Sequence, residues 1–268
     1  MLTGEEVEQF QRDGFVNGGE VLDEGAVDRL RAELERVMEE RDREDVTQPV
    51  SLRNLNGKNL DRPVWQIVNI WEASGAYREL VGNAKMTGAI AQLTGAHQLR
   101  VWHDQIQYKP AATGGVNMWH QDSPKWGILQ PKTAQVSAWV ALDDVDESNG
   151  CMSMVPGSHR WGDQDRYLGS LEGFDRMVAE DPTGHRVQVR VCPVKKGHVH
   201  FHHALTWHGS GANTSARPRR AIAVHYMTEE TIYDPEGKHI MEAFVSVNGG
   251  ARLEGDHFPL VWESGRGG

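Results

Sequence analysis

The chain has 268 residues and a formal net charge of −10, from 28 Lys+Arg against 38 Asp+Glu. With 38% hydrophobic residues, nine Trp and 29 Gly, its composition is that of a turn-rich globular protein and not of a disordered one. No Lys/Arg stripe argues for a nucleic-acid partner, and no apolar run is long enough to cross a membrane. The opening Met1-Leu2-Thr3-Gly4-Glu5-Glu6 lacks an export signal's apolar region, so Cys151 and Cys192 are expected to be reduced thiols in the cytoplasm.

Thr3 and Glu6 have the spacing of a capping box, which predicts a first helix with Val7 and Phe10 on one face, ending near Asp13-Gly14. Phe15-Val16 reads as a short strand. Val27, Leu30, Leu34, Val37 and Met38 recur at helical spacing and predict a helix over about residues 24–42 with a solvated charged face. Residues 45–63, including Asn54 to Asn59, read as a loop able to cover a pocket mouth. The apolar stretch Val64 to Trp71 fits a strand or a helix. Residues 76–81 and 85–93 read as helices.

From about residue 98 the pattern turns to β. Strands are expected at 99–102, 105–109, 116–122, 135–142, 151–155, 186–191, 199–201 and 220–227. Residues 161–186 read as a polar insertion with one short helix near Phe174 to Glu180, and the tail reads as loop. Helices first and short strands after predict a mainly β chain: a double-sheet jelly roll with the N-terminal helices packed on one sheet. One domain over 1–268 is expected, with a helical part about 1–97, a core about 98–227 and a tail 228–268.

The stretch Trp119-His120-Gln121-Asp122 carries the first chemical signal. Side chains at i and i+2 of a strand share a face, so His120 and Asp122 on a strand can hold one metal ion together. The pair alone is a weak signal. His198, His200, His202, His203 and His208 supply a third ligand; His208 is favoured because the turn Gly209-Ser210-Gly211 follows it. Two His and one carboxylate with an open face suit non-haem Fe(II) oxygen chemistry. Arg219 opens the next strand, and in a hairpin it lies near His208, where a guanidinium can clamp a carboxylate bidentately. Arg217 and Arg220 leave that choice open.

Several motifs in order resemble the phytanoyl-CoA dioxygenase family of Fe(II)/2-oxoglutarate oxygenases: Asp13-Gly14-Phe15-Val16, Lys109-Pro110, Trp119 to Asp122, Trp139 to Asp144, Asn149 to Met152, Val155 to His159, and His208 to Asn213 with Arg219. The resemblance implies a double-stranded β-helix of the cupin-like kind, with His120, Asp122 and His208 as iron ligands. It implies that Arg219, helped by Ser210, binds the distal carboxylate of 2-oxoglutarate, with Trp139 and Gln107 lining that side. The implied activity consumes O2 and 2-oxoglutarate, oxidises an unactivated C–H bond and releases succinate and CO2. Related halogenases lack the carboxylate ligand, so Asp122 implies hydroxylation.

The expected substrate is a small organic metabolite or natural-product intermediate. Trp119, Trp126, His103 and Gln105 are candidate contacts, with Arg100, His225, Trp65, Trp71, Trp102 and Trp207 as further candidates. No basic cluster marks an acyl-CoA site. Two rival readings are a cupin-type isomerase or dioxygenase that does not use 2-oxoglutarate and a non-catalytic jelly-roll binding protein. The first usually adds a Glu, where Ser123-Pro124-Lys125-Trp126 stand here; the second has no use for Arg219. A monomer and a homodimer both remain open.

Overall fold

Thr3 closes the first turn of α1 (Gly4–Asp13): its hydroxyl accepts from the Glu6 amide, and the Glu6 carboxylate accepts from the Thr3 amide at 2.7 Å. The computed structural model describes residues 1–57 and 61–265; residues 58–60, inside the expected 45–63 loop, and 266–268, at the end of the expected tail, lie outside them. Gly14, at φ +83°, ends α1 and turns the chain into β1 (Phe15–Glu20). Then α2 (Glu24–Glu39) buries Val27, Leu30, Leu34 and Val37, stopping short of residue 42.

The expected loop contains a strand. β2 (Ser51–Asn54) pairs antiparallel with the next strand, β3 (Trp65–Val68), and its four polar and apolar residues are too few to show a strand pattern by themselves. The ambiguous stretch after it is both strand and helix: β3 gives way to α3 (Ile70–Ala73) at Asn69, whose φ is +56°. Asp104 fixes this switch. Its two carboxylate oxygens accept from the Ile70 and Trp71 amides at 2.9 and 3.1 Å, while Asn69 Oδ1 accepts from the Asp104 amide. α4 (Gly75–Val81) and α5 (Ala84–Thr94) follow.

β4 (Gln98–Lys109) is one long strand where two were expected. After it come β5 (Asn117–His120), β6 (Leu129–Gln130), β7 (Gln135–Ala141), β8 (Met152–Met154), α6 (Asp165–Leu168), β9 (Arg190–Cys192), β10 (His198–His203), β11 (His208–Ser210), β12 (Arg219–Thr228), β13 (Ile232–Tyr233) and β14 (Leu260–Glu263). The helix expected at 174–180 does not form. The insertion's helical turn is α6, and Phe174 stacks on Trp119 at 5.3 Å instead. The tail is not all loop, since β13 pairs β6 and β14 pairs β4.

The larger sheet runs β1-β10-β7-β12-β4-β3-β2 with β14 on β4, and the smaller runs β5-β11-β8-β9. Alternation along the strands sorts the two faces. Val136, Ala138, Val140, Ile222, Val224 and Tyr226 join the helices in the main core. Their neighbours Trp139, Ala141, Ala221 and Ala223 pack against Met152 and Met154 of the smaller sheet. This is the expected mainly β jelly roll with helices covering one sheet. The same alternation turns His103, Gln105 and Gln107 of β4, and His225 of β12, towards the space between the sheets.

Candidate active site

β5 and β11 pair with His120 opposite His208, and the two rings lie 4.1 Å apart. Each Nδ1 donates to the carbonyl two residues earlier, His120 to Met118 at 2.7 Å and His208 to Thr206 at 2.9 Å. Both Nε2 atoms therefore keep free lone pairs. They face Asp122 Oδ1 at 3.8 and 3.6 Å. Burial pushes both imidazole pKa values down, so each ring is held in the neutral form that ligates metals. One ligand atom from each of these three residues lies within 4.8 Å of the others, and the residues fit a single metal ion.

Asp122 reaches this position differently from the expectation. β5 ends at His120, and Asp122 has helical φ and ψ of −78° and −59°. The amides of Asp122 and Ser123 both donate to the Ala204 carbonyl, which pulls the chain out of the strand. The shared-face argument therefore does not apply, although the carboxylate still meets both rings. Its Oδ2 accepts from Ser137 Oγ at 3.0 Å and lies 3.2 Å from His202 Nε2. Burial alone would raise the Asp122 pKa; His208, His202 and His225 around it outweigh that and hold it well below the ordinary range. Oδ1 remains free for a metal while Oδ2 is engaged. Neither Ser137 nor His202 was singled out from the sequence.

Arg219 is not the hairpin partner of His208. β11 belongs to the smaller sheet and β12 to the larger, so the two residues come from facing sheets. Arg219 is fully buried, with its guanidinium 5.0 Å from the Trp139 ring centre and Nη2 3.5 Å from Ser210 Oγ. Its Nε has no partner. Lys109 is fully buried beside it, donating to Ser210 Oγ and the Gly211 carbonyl, both at 2.6 Å. Burial pushes Lys109 well below its ordinary range and Arg219 down to about 10. Among the described residues neither cation meets a carboxylate. Two buried cations without a counter-charge are costly, and an anionic ligand would offset that cost. Arg217 and Arg220 are already committed, to Asp146 at 2.6 Å and to Asp143 at 2.9 Å.

A narrow cleft beside the triad is lined by Gln107, Trp139, His202 and Ser210; Lys109 and Arg219 lie behind Ser210 and Trp139. A wider cavity of about 630 Å³ also opens at the triad, sharing His120 and Asp122 with the cleft. His103, Gln105, Trp126, Trp119 and His225 border this cavity. Trp119 also donates to the Phe174 carbonyl at 2.8 Å, which ties the 161–186 insertion to β5. Arg100 lies elsewhere, donating to the Phe258 carbonyl at 3.0 Å. Trp71, Trp102 and Trp207 are core residues, and Trp65 does not border the cavity. No local pattern points to His239 and Ile240 of the tail, which complete the wall, or to Arg53 and Leu55 in particular, although their segment was expected at a pocket mouth.

The chain matches the phytanoyl-CoA dioxygenase (PhyH) family over residues 10–221. Ectoine dioxygenase of Bordetella parapertussis is 28% identical over 251 residues, which cover 87% of this chain and 78% of that protein. Peroxisomal phytanoyl-CoA dioxygenase of Mus musculus is 27% identical over 241 residues, 84% of this chain and 68% of that one. The solved structure of the non-haem α-ketoglutarate-dependent carbocyclase SnoK from nogalamycin biosynthesis superposes with a TM-score of 0.77 at 30% identity, covering 97% of each chain. The epimerase SnoN, in complex with Fe3+, α-ketoglutarate and nogalamycin RO, gives 0.75 at 25% identity over 96% of this chain and 98% of that one. The chain thus belongs to the phytanoyl-CoA dioxygenase family and is an Fe(II)- and 2-oxoglutarate-dependent oxygenase.

Proposed function

We propose that His120, Asp122 and His208 hold iron(II), that Arg219, Lys109 and Ser210 hold the distal carboxylate of 2-oxoglutarate, and that the wide cavity holds a small organic metabolite or natural-product intermediate. The reaction is hydroxylation of an unactivated C–H bond: substrate, 2-oxoglutarate and O2 give the alcohol, succinate and CO2. The single observation that carries this reading is the pair of buried cations, Lys109 and Arg219, which among the described residues meet no carboxylate and both reach Ser210, a residue that lines the cleft beside the triad.

The iron centre, when bound, supplies the redox chemistry that couples decarboxylation of the 2-oxo acid to oxidation of the substrate. The chain's own residues do the rest. Ser137 and His202 occupy Asp122 Oδ2, which leaves Oδ1 as the ligating oxygen. Arg219 and Lys109 orient the co-substrate's far end by charge-assisted hydrogen bonds. Trp126 and Trp119, both nearly fully buried, help keep water from the cavity wall.

The reading takes residues 1–268 as one catalytic domain, since the 51–54 edge, the core and the tail all border the cavity. Among the described residues no helix is long and apolar enough to cross a membrane. The free buried thiols of Cys151 and Cys192 support a reducing compartment, the cytoplasm. A second outcome, oxidative ring closure, is favoured by the 30% identity to SnoK, a carbocyclase. The test is a substrate screen read by succinate release, with product mass as the second readout. Gain of one oxygen supports hydroxylation, loss of two hydrogens supports ring closure, and no succinate with any substrate class overturns both.

A further inference from the structure

Three imidazoles build one wall of the wide cavity. His103 and His225 are cross-strand partners on β4 and β12, 2% and 3% exposed, with rings 4.7 Å apart. His239 from the tail stacks on His103 at 5.5 Å. All three border the cavity. Among the described residues only the His120, Asp122 and His208 group is close enough to hold a metal, so this cluster is not a second metal centre.

The neighbours fix which nitrogen of each ring carries the hydrogen. His103 Nδ1 lies 3.2 Å from the Asp104 carbonyl, which can only accept, so Nδ1 is the donor. Its Nε2 is then a bare lone pair, and it is buried without a partner. His225 Nδ1 lies 2.7 Å from Ser137 Oγ, whose single hydrogen goes to Asp122 Oδ2. His225 Nδ1 must therefore donate, and its Nε2 is a second bare acceptor. His239 is reversed. Its Nδ1 accepts from the Met241 amide at 3.2 Å, so Nε2 carries the hydrogen. Burial keeps His103 and His239 neutral, lowering His103 well below its ordinary pKa and bringing His239 to about 4.

We infer that this wall is a recognition subsite for a neutral, polyhydroxylated ring compound, whose hydroxyl hydrogens go to Nε2 of His103 and His225 and whose oxygen accepts from Nε2 of His239. The inference rests on the cavity being the substrate side of the iron site. A carboxylate or phosphate has no hydrogen to give and would face two lone pairs. Of the basic groups at the mouth, Lys125 is paired with Asp165 at 2.8 Å, and Arg53 donates its Nε to the Gln66 side-chain oxygen at 3.0 Å. Trp126 sets its ring edgewise to both acceptors, 5.8 Å from His103 and 4.8 Å from His225, and offers a flat apolar surface to a ring.

The experiment titrates anaerobic protein, loaded with Fe(II) and saturating 2-oxoglutarate, with resorcinol, resorcinol dimethyl ether and isophthalate in a calorimeter. The hydroxyls of resorcinol are placed so that they do not chelate iron together. Resorcinol is expected to bind about tenfold tighter than its ether, the worth of one or two net hydrogen bonds. His103→Phe and, separately, His239→Phe keep a flat ring and are each expected to reduce that preference to about threefold or less. An ether that binds as tightly as resorcinol, a preference for isophthalate, or no binding of any of the three at millimolar concentration overturns the subsite. The visible band of the Fe(II)–2-oxoglutarate complex is recorded on the same sample first. Its absence overturns the co-substrate reading, whereas a band without hydroxyl preference overturns only the subsite.

Discussion

His120 and His208 face each other across β5 and β11, and each gives its Nδ1 hydrogen to the backbone carbonyl two residues before it. The backbone itself sets both tautomers and aims both Nε2 atoms at the same oxygen of Asp122. A site whose three donors are this well aligned should depend on all three. Asp122→Ala and His208→Ala are each expected to lose Fe(II) in anaerobic equilibrium dialysis and to form no succinate. Wild-type iron retention by either variant would remove that residue from the triad.

The two cations meet at one hydroxyl: Ser210 Oγ is 2.6 Å from Lys109 Nζ and 3.5 Å from Arg219 Nη2. Arg219→Ala should raise the 2-oxoglutarate concentration for half-maximal turnover by about one to two orders of magnitude, from loss of a charge-assisted bidentate contact. Lys109→Met should raise it in the same direction by about tenfold. In both variants the gain in melting temperature on adding 2-oxoglutarate should shrink. An unchanged requirement in both would place the carboxylate elsewhere.

Ser137 ties the iron-side carboxylate to His225 in the substrate cavity. Ser137→Ala removes the donor to Asp122 Oδ2 without touching the triad. Iron affinity is expected to fall by about tenfold, the usual scale for loss of a partner behind a metal ligand. Isothermal titration of the metal-free protein with a divalent ion measures it, and an affinity equal to wild type would deny Ser137 this role.

Buried histidines set an acid limit on stability. Burial lowers His200 from 6.5 to about 3, and His203 and His239 from 6.5 to about 4. The unfolded chain takes up protons at these groups near pH 6.5 while the folded chain does not. Stability present above that pH is therefore lost as pH falls to about 4, and to about 3 for His200, with a slope of at most about 1.4 kcal/mol per pH unit for each histidine. Urea unfolding of the metal-free protein at a series of pH values reads this slope; stability that stays flat from pH 6.5 to 4 would contradict it.

The parts of the site that were legible are those carried by local motif. His208 stood out by the turn after it, whereas the hairpin that pointed to Arg219 does not exist, since β11 and β12 lie in different sheets, and Trp139 was reached only through the family resemblance. Lys109 stood out only as part of Lys109-Pro110. A local sequence does not show that a lysine will be fully buried, because that burial comes from Ser210 and Gly211 about a hundred positions away. Asp122 was found for a reason that does not hold, since the pull of the Ala204 carbonyl on its amide lies outside any pattern in the strand. β14 and His239 were hidden because their partners are remote, and tertiary pairing overrides weak local preference.

The wide cavity takes much of its wall from Arg53 and Leu55 beside β2, Gly169 in the insertion, and His239 and Ile240 in the tail. None of these segments contributes to the triad or to the Lys109 and Arg219 pair. These three peripheral stretches therefore shape the substrate side, while the metal ligands and the cation pair stand on or just after the central strands, so a change of substrate is expected to be written in the margins first.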